Sequence, residues 1–270
     1  MSRRRETDTS DEATGGRPAP GGVPEGHLPA QARSGPVAEQ TAASAADVAD
    51  FVRKMRDLAP PTAVGRGRLV FAMDATMSRQ PTWDMALELQ SEMFRAVKAI
   101  GGLDVQLVYF RGSGECRASK WVSDPDGLAR LMTTVQCAGG FTQIRKVLAH
   151  ARQESQARRI DALVHVGDCM EEDVDDLCGR AGELALLGVP VFLFQEGRDA
   201  AAERAFREIA RLTRGAWCRF DAGSAAQLKD LLSAVAVYAA GGRKALETLS
   251  LENRNTGARL LLEQMKPPRP

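Results

Sequence analysis

From Arg66 onward, short apolar runs alternate with amphipathic stretches, and no other feature of the sequence constrains the fold as much. Arg68-Leu69-Val70-Phe71-Ala72-Met73 is a compact apolar run, as expected of a strand covered on both faces. Residues 82–100 have helical periodicity, with Thr82 as an available cap and Gly101-Gly102 as the stop. Residues 103–110 form the second expected strand. Gly112-Ser113-Gly114 then leaves too little chain for a crossover, so residues 116–122 are expected to return antiparallel as a hairpin. Helical stretches at 125–135 and 143–155 lead to a central strand at 160–166 and a helix at 174–187. A strand at 190–194, a helix at 200–213, a short strand at 216–220 and a helix at 224–239 complete the pattern. The expected fold class is α/β: a doubly wound, mostly parallel sheet with one antiparallel edge strand and helices on both faces.

Outside this block the chain reads differently. Residues 1–43 are rich in Gly, Pro, Ala, Ser and Glu and nearly free of large apolar side chains, so they are expected to be a disordered leader. Residues 44–60 predict an amphipathic helix. Ser44 caps it, Val48, Phe51, Val52, Met55 and Leu58 share a face, and Pro60-Pro61 ends it. That stripe is expected to pack on the following domain rather than dock a partner. After a domain at 66–241, residues 242–270 form a C-terminal extension in which Leu246, Leu249, Leu251 and Leu260 to Leu262 suggest short helices.

The formal net charge is +1 with bases scattered among acids, which argues against the clustered basic face of a nucleic-acid binder. No apolar run is long enough to cross a bilayer. The opening Met-Ser-Arg-Arg-Arg is followed by polar residues with no apolar core, so no secretory signal is expected. Five cysteines, at 116, 137, 169, 178 and 218, are odd in number and lack CxxC spacing. Free thiols in a reducing compartment are the expectation, and with them a cytoplasmic location.

In doubly wound sheets, ligands bind beyond the carboxyl ends of the strands where strand order reverses. If the strands at 68–73 and 160–166 are central neighbours, two acids meet at that point: Asp74 ends the first and Asp168 follows the second. Buried carboxylates are costly without a partner, and a metal is the usual one. Asp74-Ala75-Thr76-Met77-Ser78 places oxygen side chains at i, i+2 and i+4, which share one side of an extended loop. Ala138-Gly139-Gly140-Phe141-Thr142 offers a further hydroxyl at the start of a helix, its paired glycines allowing a tight turn. Two carboxylates and three hydroxyls are hard donors, suited to Mg²⁺ or Mn²⁺ and unlike a thiolate zinc site. With three neutral donors the metal stays electron-poor and keeps an open position, which a carboxylate from another protein, or a water, would fill.

These loops, in this order on this strand pattern, resemble the metal-ion-dependent adhesion site (MIDAS) of von Willebrand factor A (VWA) domains. That family's motif is Asp-x-Ser-x-Ser, then a Thr, then an Asp. Asp74, Thr76, Ser78, Thr142 and Asp168 match it position by position, with Thr76 in place of the first Ser and Cys169 where Gly usually follows the last Asp. The resemblance implies a Rossmann-like VWA fold of intracellular bacterial type and a non-catalytic, metal-assisted binding module. It also implies that the partner is a protein presenting an Asp or Glu carboxylate, and that such modules often belong to assemblies with AAA+ ATPases or stress-response components.

Several other residues lie near this point. Arg79, Gln80, Trp83 and Asp84 would rim the site, Trp83 more as a packing aromatic than as a contact; Phe141 poses the same choice. The acids Glu171, Glu172, Asp173, Asp175 and Asp176 read mainly as a solvated helix start. His165, within an apolar strand, reads as a core histidine bonded to a neighbour and not as a catalytic base. Two other functions compete: a metal-dependent phosphohydrolase at the same sheet edge, and a metal-free scaffold recruiting through the helix at 44–60. The first is disfavoured because there is no Asp-x-Asp after the first strand, no GxGxxG and no Walker-type Gly-x-x-x-x-Gly-Lys.

Overall fold

The structure, a computed structural model, describes residues 66–252 and 255–265. The expected leader, the helix at 44–60 and the last five residues lie outside the described residues. The elements run β1 (Gly67–Asp74), α1 (Gln80–Val97), β2 (Leu103–Arg111), β3 (Glu115–Ala118), α2 (Pro125–Thr133), α3 (Ile144–Ala157) and β4 (Ala162–Gly167). They continue α4 (Val174–Leu186), β5 (Val191–Glu196), α5 (Ala200–Thr213), β6 (Ala216–Phe220), α6 (Ala225–Glu252) and α7 (Thr256–Gln264).

The six strands form one sheet in the order β3-β2-β1-β4-β5-β6. Every pairing is parallel except β2 with β3, which closes the hairpin that the Gly112-Ser113-Gly114 turn demands. The expected fold class is therefore the observed one. Strand β1 is buried along its whole length, and its side chains alternate between two cores. Leu69, Phe71 and Met73 join Trp83, Met93, Leu128 and Leu232 from α1, α2 and α6 on one face. Val70 and Ala72 join Val147, Leu177, Phe206 and Ile209 from α3, α4 and α5 on the other. Each fully buried Phe or Leu contributes roughly 1.5–3 kcal/mol, so a one-residue slip of β1 would interchange both faces and is strongly disfavoured.

Three local expectations change. Thr82 does not cap α1: the helix starts two residues earlier, with Arg79 at the cap position and Pro81 in the first turn. A proline there loses no helical hydrogen bond, because the first N–H groups have no intrahelical acceptor. The last helix runs beyond residue 239 because nothing interrupts it before Gly242, whose φ of 66° breaks it. It then continues, and Leu246, Ala258 and Leu261 of this C-terminal part are buried in the core. The Gln264 side chain of α7 bonds both backbone groups of Trp217, accepting from its N–H at 2.9 Å and donating to its C=O at 2.6 Å, which satisfies part of the β6 edge.

His165 is the third correction. It is buried as expected but has no bonded neighbour, since both ring nitrogens lack a hydrogen-bond partner. It lies instead between rings, stacked on Phe110 and edge-on to Phe206. Burial pushes its pKa down to about 4, so the imidazole is neutral and acts as an aromatic filler. All five cysteines are free, as expected.

Candidate metal centre

Strands β1 and β4 are central neighbours, with Met73 level with Val166. Sheet order reverses between them, so the loops leaving their carboxyl ends meet at the switch point. After β1 the chain passes through Ala75 and Thr76 into a single 3-10 turn at Met77–Arg79. Thr76 holds the N-cap position of that turn, but its hydroxyl makes no capping bond. It lies 3.4 Å from the Ser78 hydroxyl instead. The Ser78 hydroxyl also lies 3.4 Å from Arg79 Nε, so no close hydrogen bond occupies it.

The loop carrying Thr142 is tied to the same place by backbone. Ala138 N–H donates to Ala75 C=O at 3.0 Å, and Phe141 N–H donates to Gly112 C=O at 3.1 Å. Gly140 passes so close to the hairpin turn that a Cβ built on it would overlap the Gly112 backbone. Glycine is needed here for close approach, not for a tight turn with positive φ. Thr76, Ser78 and Thr142 consequently line one cleft of about 240 Å³, together with Met77, Gly139, Gly140, Cys169 and Glu171.

Neither acid lines this cleft itself; they sit on the loops that do, Asp74 two residues before Thr76 and Asp168 one before Cys169. Asp74 is only 1 % exposed. Its Oδ1 accepts from the Thr76 N–H at 2.7 Å. Its Oδ2 is buried without any partner, and so is Oδ1 of Asp168. Burial pushes the Asp74 carboxyl up to about 6; hydrogen bonds from Thr76 oppose the shift, Asp168 adds to it and Arg79 lowers it. Two orphaned carboxylate oxygens, with three hydroxyls on the same and adjoining loops, are the donor set a hard divalent cation would complete. The residues present therefore fit such an ion. Among the described residues no group of three or more His, Cys, Asp or Glu side chains is placed to hold a metal, so an ion at this site would depend on the hydroxyls.

Three residues that the motif did not mark belong to the site. Glu171 Oε2 accepts from the Thr142 hydroxyl at 2.7 Å and from its N–H at 3.0 Å. The neighbouring Glu172 accepts from the N–H groups of Ile144 and Arg145, and so caps α3 from another element. Two of the acids expected mainly to form a solvated helix start therefore clamp the Thr142 loop. Arg79 is the third. It pairs with Asp168 Oδ2 at 3.1 Å and with Glu196, at the end of β5, at 2.6 Å. The Thr82 hydroxyl also donates to Glu196. The only sequence hints were the position of Arg79 beside the loop and the acids that follow Asp168.

Around the cleft, Trp83 is the packing aromatic expected, buried with its Nε1–H donating to Met132 C=O at 3.2 Å. Met77 and Phe141 are different, being 63 % and 65 % exposed. Gln80 and Asp84 bond each other at 2.8 Å on the exposed side of α1.

No protein-family model matches the sequence, and no curated protein matches it either. Solved structures do. A von Willebrand factor type A protein from Catenulispora acidiphila aligns with 66 % of this chain and 43 % of its own, at 16 % identity and a TM-score of 0.53. Proximal thread matrix protein 1 from the mussel byssus aligns with 65 % of this chain and 48 % of its own, at 18 % identity and a TM-score of 0.51. In another structure of that mussel protein, with the same identity and coverage and a TM-score of 0.50, the MIDAS motif is occupied by zinc. The chain thus spans less than half the length of these proteins. Among the described residues no helix is long and apolar enough to cross a membrane. The element order, the sheet topology and these likenesses give the described residues the fold of a von Willebrand factor A domain.

Proposed function

We propose that this domain is a non-catalytic binding module, and that its cleft holds Mg²⁺ or Mn²⁺ through Asp74, Thr76, Ser78, Thr142 and Asp168 to engage an Asp or Glu carboxylate of a protein partner. The observation that carries this reading is the pair of buried carboxylate oxygens, Asp74 Oδ2 and Asp168 Oδ1, left without a partner on the loops whose three hydroxyls line the adjoining cleft. When bound, the ion would supply a Lewis-acidic position for an incoming carboxylate. The chain's own residues set the rest. The Thr76 N–H holds Asp74 by one oxygen, Arg79 holds Asp168 by one oxygen, and each acid keeps the other oxygen free.

Exposed Met77 and Phe141 beside the cleft support a protein partner, since an apolar rim around a polar centre is how protein interfaces exclude water. A non-catalytic role is supported by the state of the candidate reactive groups. The Cys169 thiol is pushed well above its usual range by burial and by Asp168, so it stays protonated, and the Arg79 guanidinium is already engaged by two carboxylates. Five free thiols support a reducing, cytoplasmic setting. An assembly containing an AAA+ ATPase or stress-response proteins is the partner class the VWA resemblance brings with it.

The test is to immobilise the full chain and its Asp74→Ala variant, and to probe both with a short Glu-containing peptide in Mn²⁺ and in EDTA. Binding in Mn²⁺ only, lost in the variant, is the expected result. Metal-dependent hydrolysis of a phosphate ester that disappears with Asp74→Ala would contradict it.

A further inference from the structure

The charge at this site does not add up as it would for two carboxylates and three hydroxyls alone. Arg79 brings a cation to the centre, and it lies within the loop that carries Thr76 and Ser78. Its guanidinium bonds Asp168 Oδ2 through Nη2 at 3.1 Å and Glu196 through Nη1 at 2.6 Å. Its Nε–H lies 3.4 Å from the Ser78 hydroxyl. Two of the five residues that fit a metal are thus in contact with a permanent cation, which is 13 % exposed at its side chain. Glu196 is itself buried and holds a second donor, the Thr82 hydroxyl, so the far end of the guanidinium is anchored rather than free to swing away.

We infer that Arg79 is a specificity-determining residue of the metal centre, a resident cation that restrains the affinity for a bare metal ion and leaves the loaded site more positive toward an incoming carboxylate. The inference rests on the metal-binding reading above. Its physical basis is Coulombic. Asp74 and Asp168 supply two negative charges, and a divalent ion would neutralise them. With Arg79 and its partner Glu196 both counted, the loaded centre is neutral, and without Arg79 it would be one charge more negative toward an incoming carboxylate, in a partly buried place where screening is weak. The same charge repels the ion when no anion is present. Metal and carboxylate should therefore bind as a coupled pair, each strengthening the other by the same factor.

Glu196 makes the inference testable, because it competes with Asp168 for the guanidinium. Removing Glu196 concentrates the Arg79 charge on Asp168, whereas removing Arg79 releases Asp168 to the metal. A merely structural Arg79–Glu196 pin would instead make both changes weaken the site, by loosening the same loop.

The experiment is a calorimetric titration of Mn²⁺ into the full chain and its Arg79→Gln and Glu196→Gln variants. The double variant Arg79→Gln/Glu196→Gln is included because it leaves no unpaired carboxylate at position 196. Arg79→Gln and the double variant are expected to bind Mn²⁺ about ten- to a hundredfold more tightly than wild type, the range typical of changes next to metal ligands. Glu196→Gln is expected to bind it more weakly. Affinity unchanged or reduced in both Arg79 variants, with metal still bound by wild type, would overturn the inference alone. Absence of metal binding in wild type and in every variant would overturn the underlying metal reading.

Discussion

Glu171 and Thr142 bond each other reciprocally across two loops: the carboxylate accepts from the threonine's hydroxyl and N–H, and the Glu171 N–H donates back to that hydroxyl at 3.2 Å. The hydroxyl has two lone pairs, and this arrangement uses one. Its proton goes to a carboxylate, which makes the remaining lone pair a better donor to a cation. Glu171 thus acts on a metal through Thr142, as the outer partners of metal ligands do elsewhere. Glu171→Ala is expected to weaken Mn²⁺ binding about tenfold or more. Because Glu171 is exposed, the melting temperature of the metal-free protein should fall little. Calorimetry and a melting curve on the same sample check both.

Asp74 sets the pH dependence. Its pKa is raised from 3.8 to about 6, and a metal must displace that proton. Mn²⁺ affinity is expected to be level well above pH 6 and to fall as pH drops through it, by up to about tenfold per unit for a single displaced proton. Titrations at pH 5, 6, 7 and 8 measure the slope directly.

The same shift has a consequence for stability. Asp74 binds its proton more tightly folded than unfolded, so metal-free stability is highest below pH 3.8 as far as this group is concerned. It is lost as pH rises from 3.8 to about 6, by an amount on the order of 3 kcal/mol at 1.36 kcal/mol per unit. Asp74→Asn removes the buried charge and its repulsion with Asp168. At neutral pH this variant is expected to be more stable than metal-free wild type, by about 1 kcal/mol or more, while losing metal binding. Chemical denaturation in EDTA is the check.

Gly139 and Gly140 are adjacent but not equivalent. A Cβ at Gly140 meets the Gly112 backbone, whereas one at Gly139 meets nothing within 4 Å. Gly140→Ala must push the Thr142 loop off the hairpin turn, and is expected to cost about 2 kcal/mol or more and to weaken metal binding. Gly139→Ala should change stability by no more than roughly 0.5 kcal/mol. Denaturation midpoints of the two variants, side by side, decide the matter.

Much of this architecture could be read before the structure. The apolar run at 68–73 shows no alternation, and the reason is visible in the two cores it feeds. The adjacency of β1 and β4 follows the rule for doubly wound sheets, and it brings Asp74 and Asp168 to one edge as expected. What could not be read were pairings between distant residues. Arg79 is 89 positions from Asp168 and 117 from Glu196, and only the sheet order brings them together. The acids after Asp168 looked like a helix start because local sequence favours acids there; that two of them bond the next loop is a tertiary fact. Thr82 illustrates the converse, a plausible cap whose hydroxyl goes instead to a carboxylate on β5.

The central claim is that this sheet edge holds a divalent cation, and the most direct measurement is a calorimetric titration of Mg²⁺ and of Mn²⁺ into the wild-type protein, beside Asp74→Ala and Thr142→Ala. The account predicts weak, saturable, one-site binding that both variants lose. No heat of binding in wild type up to roughly millimolar metal, the upper range for weak protein sites, or binding that both variants retain, would contradict it.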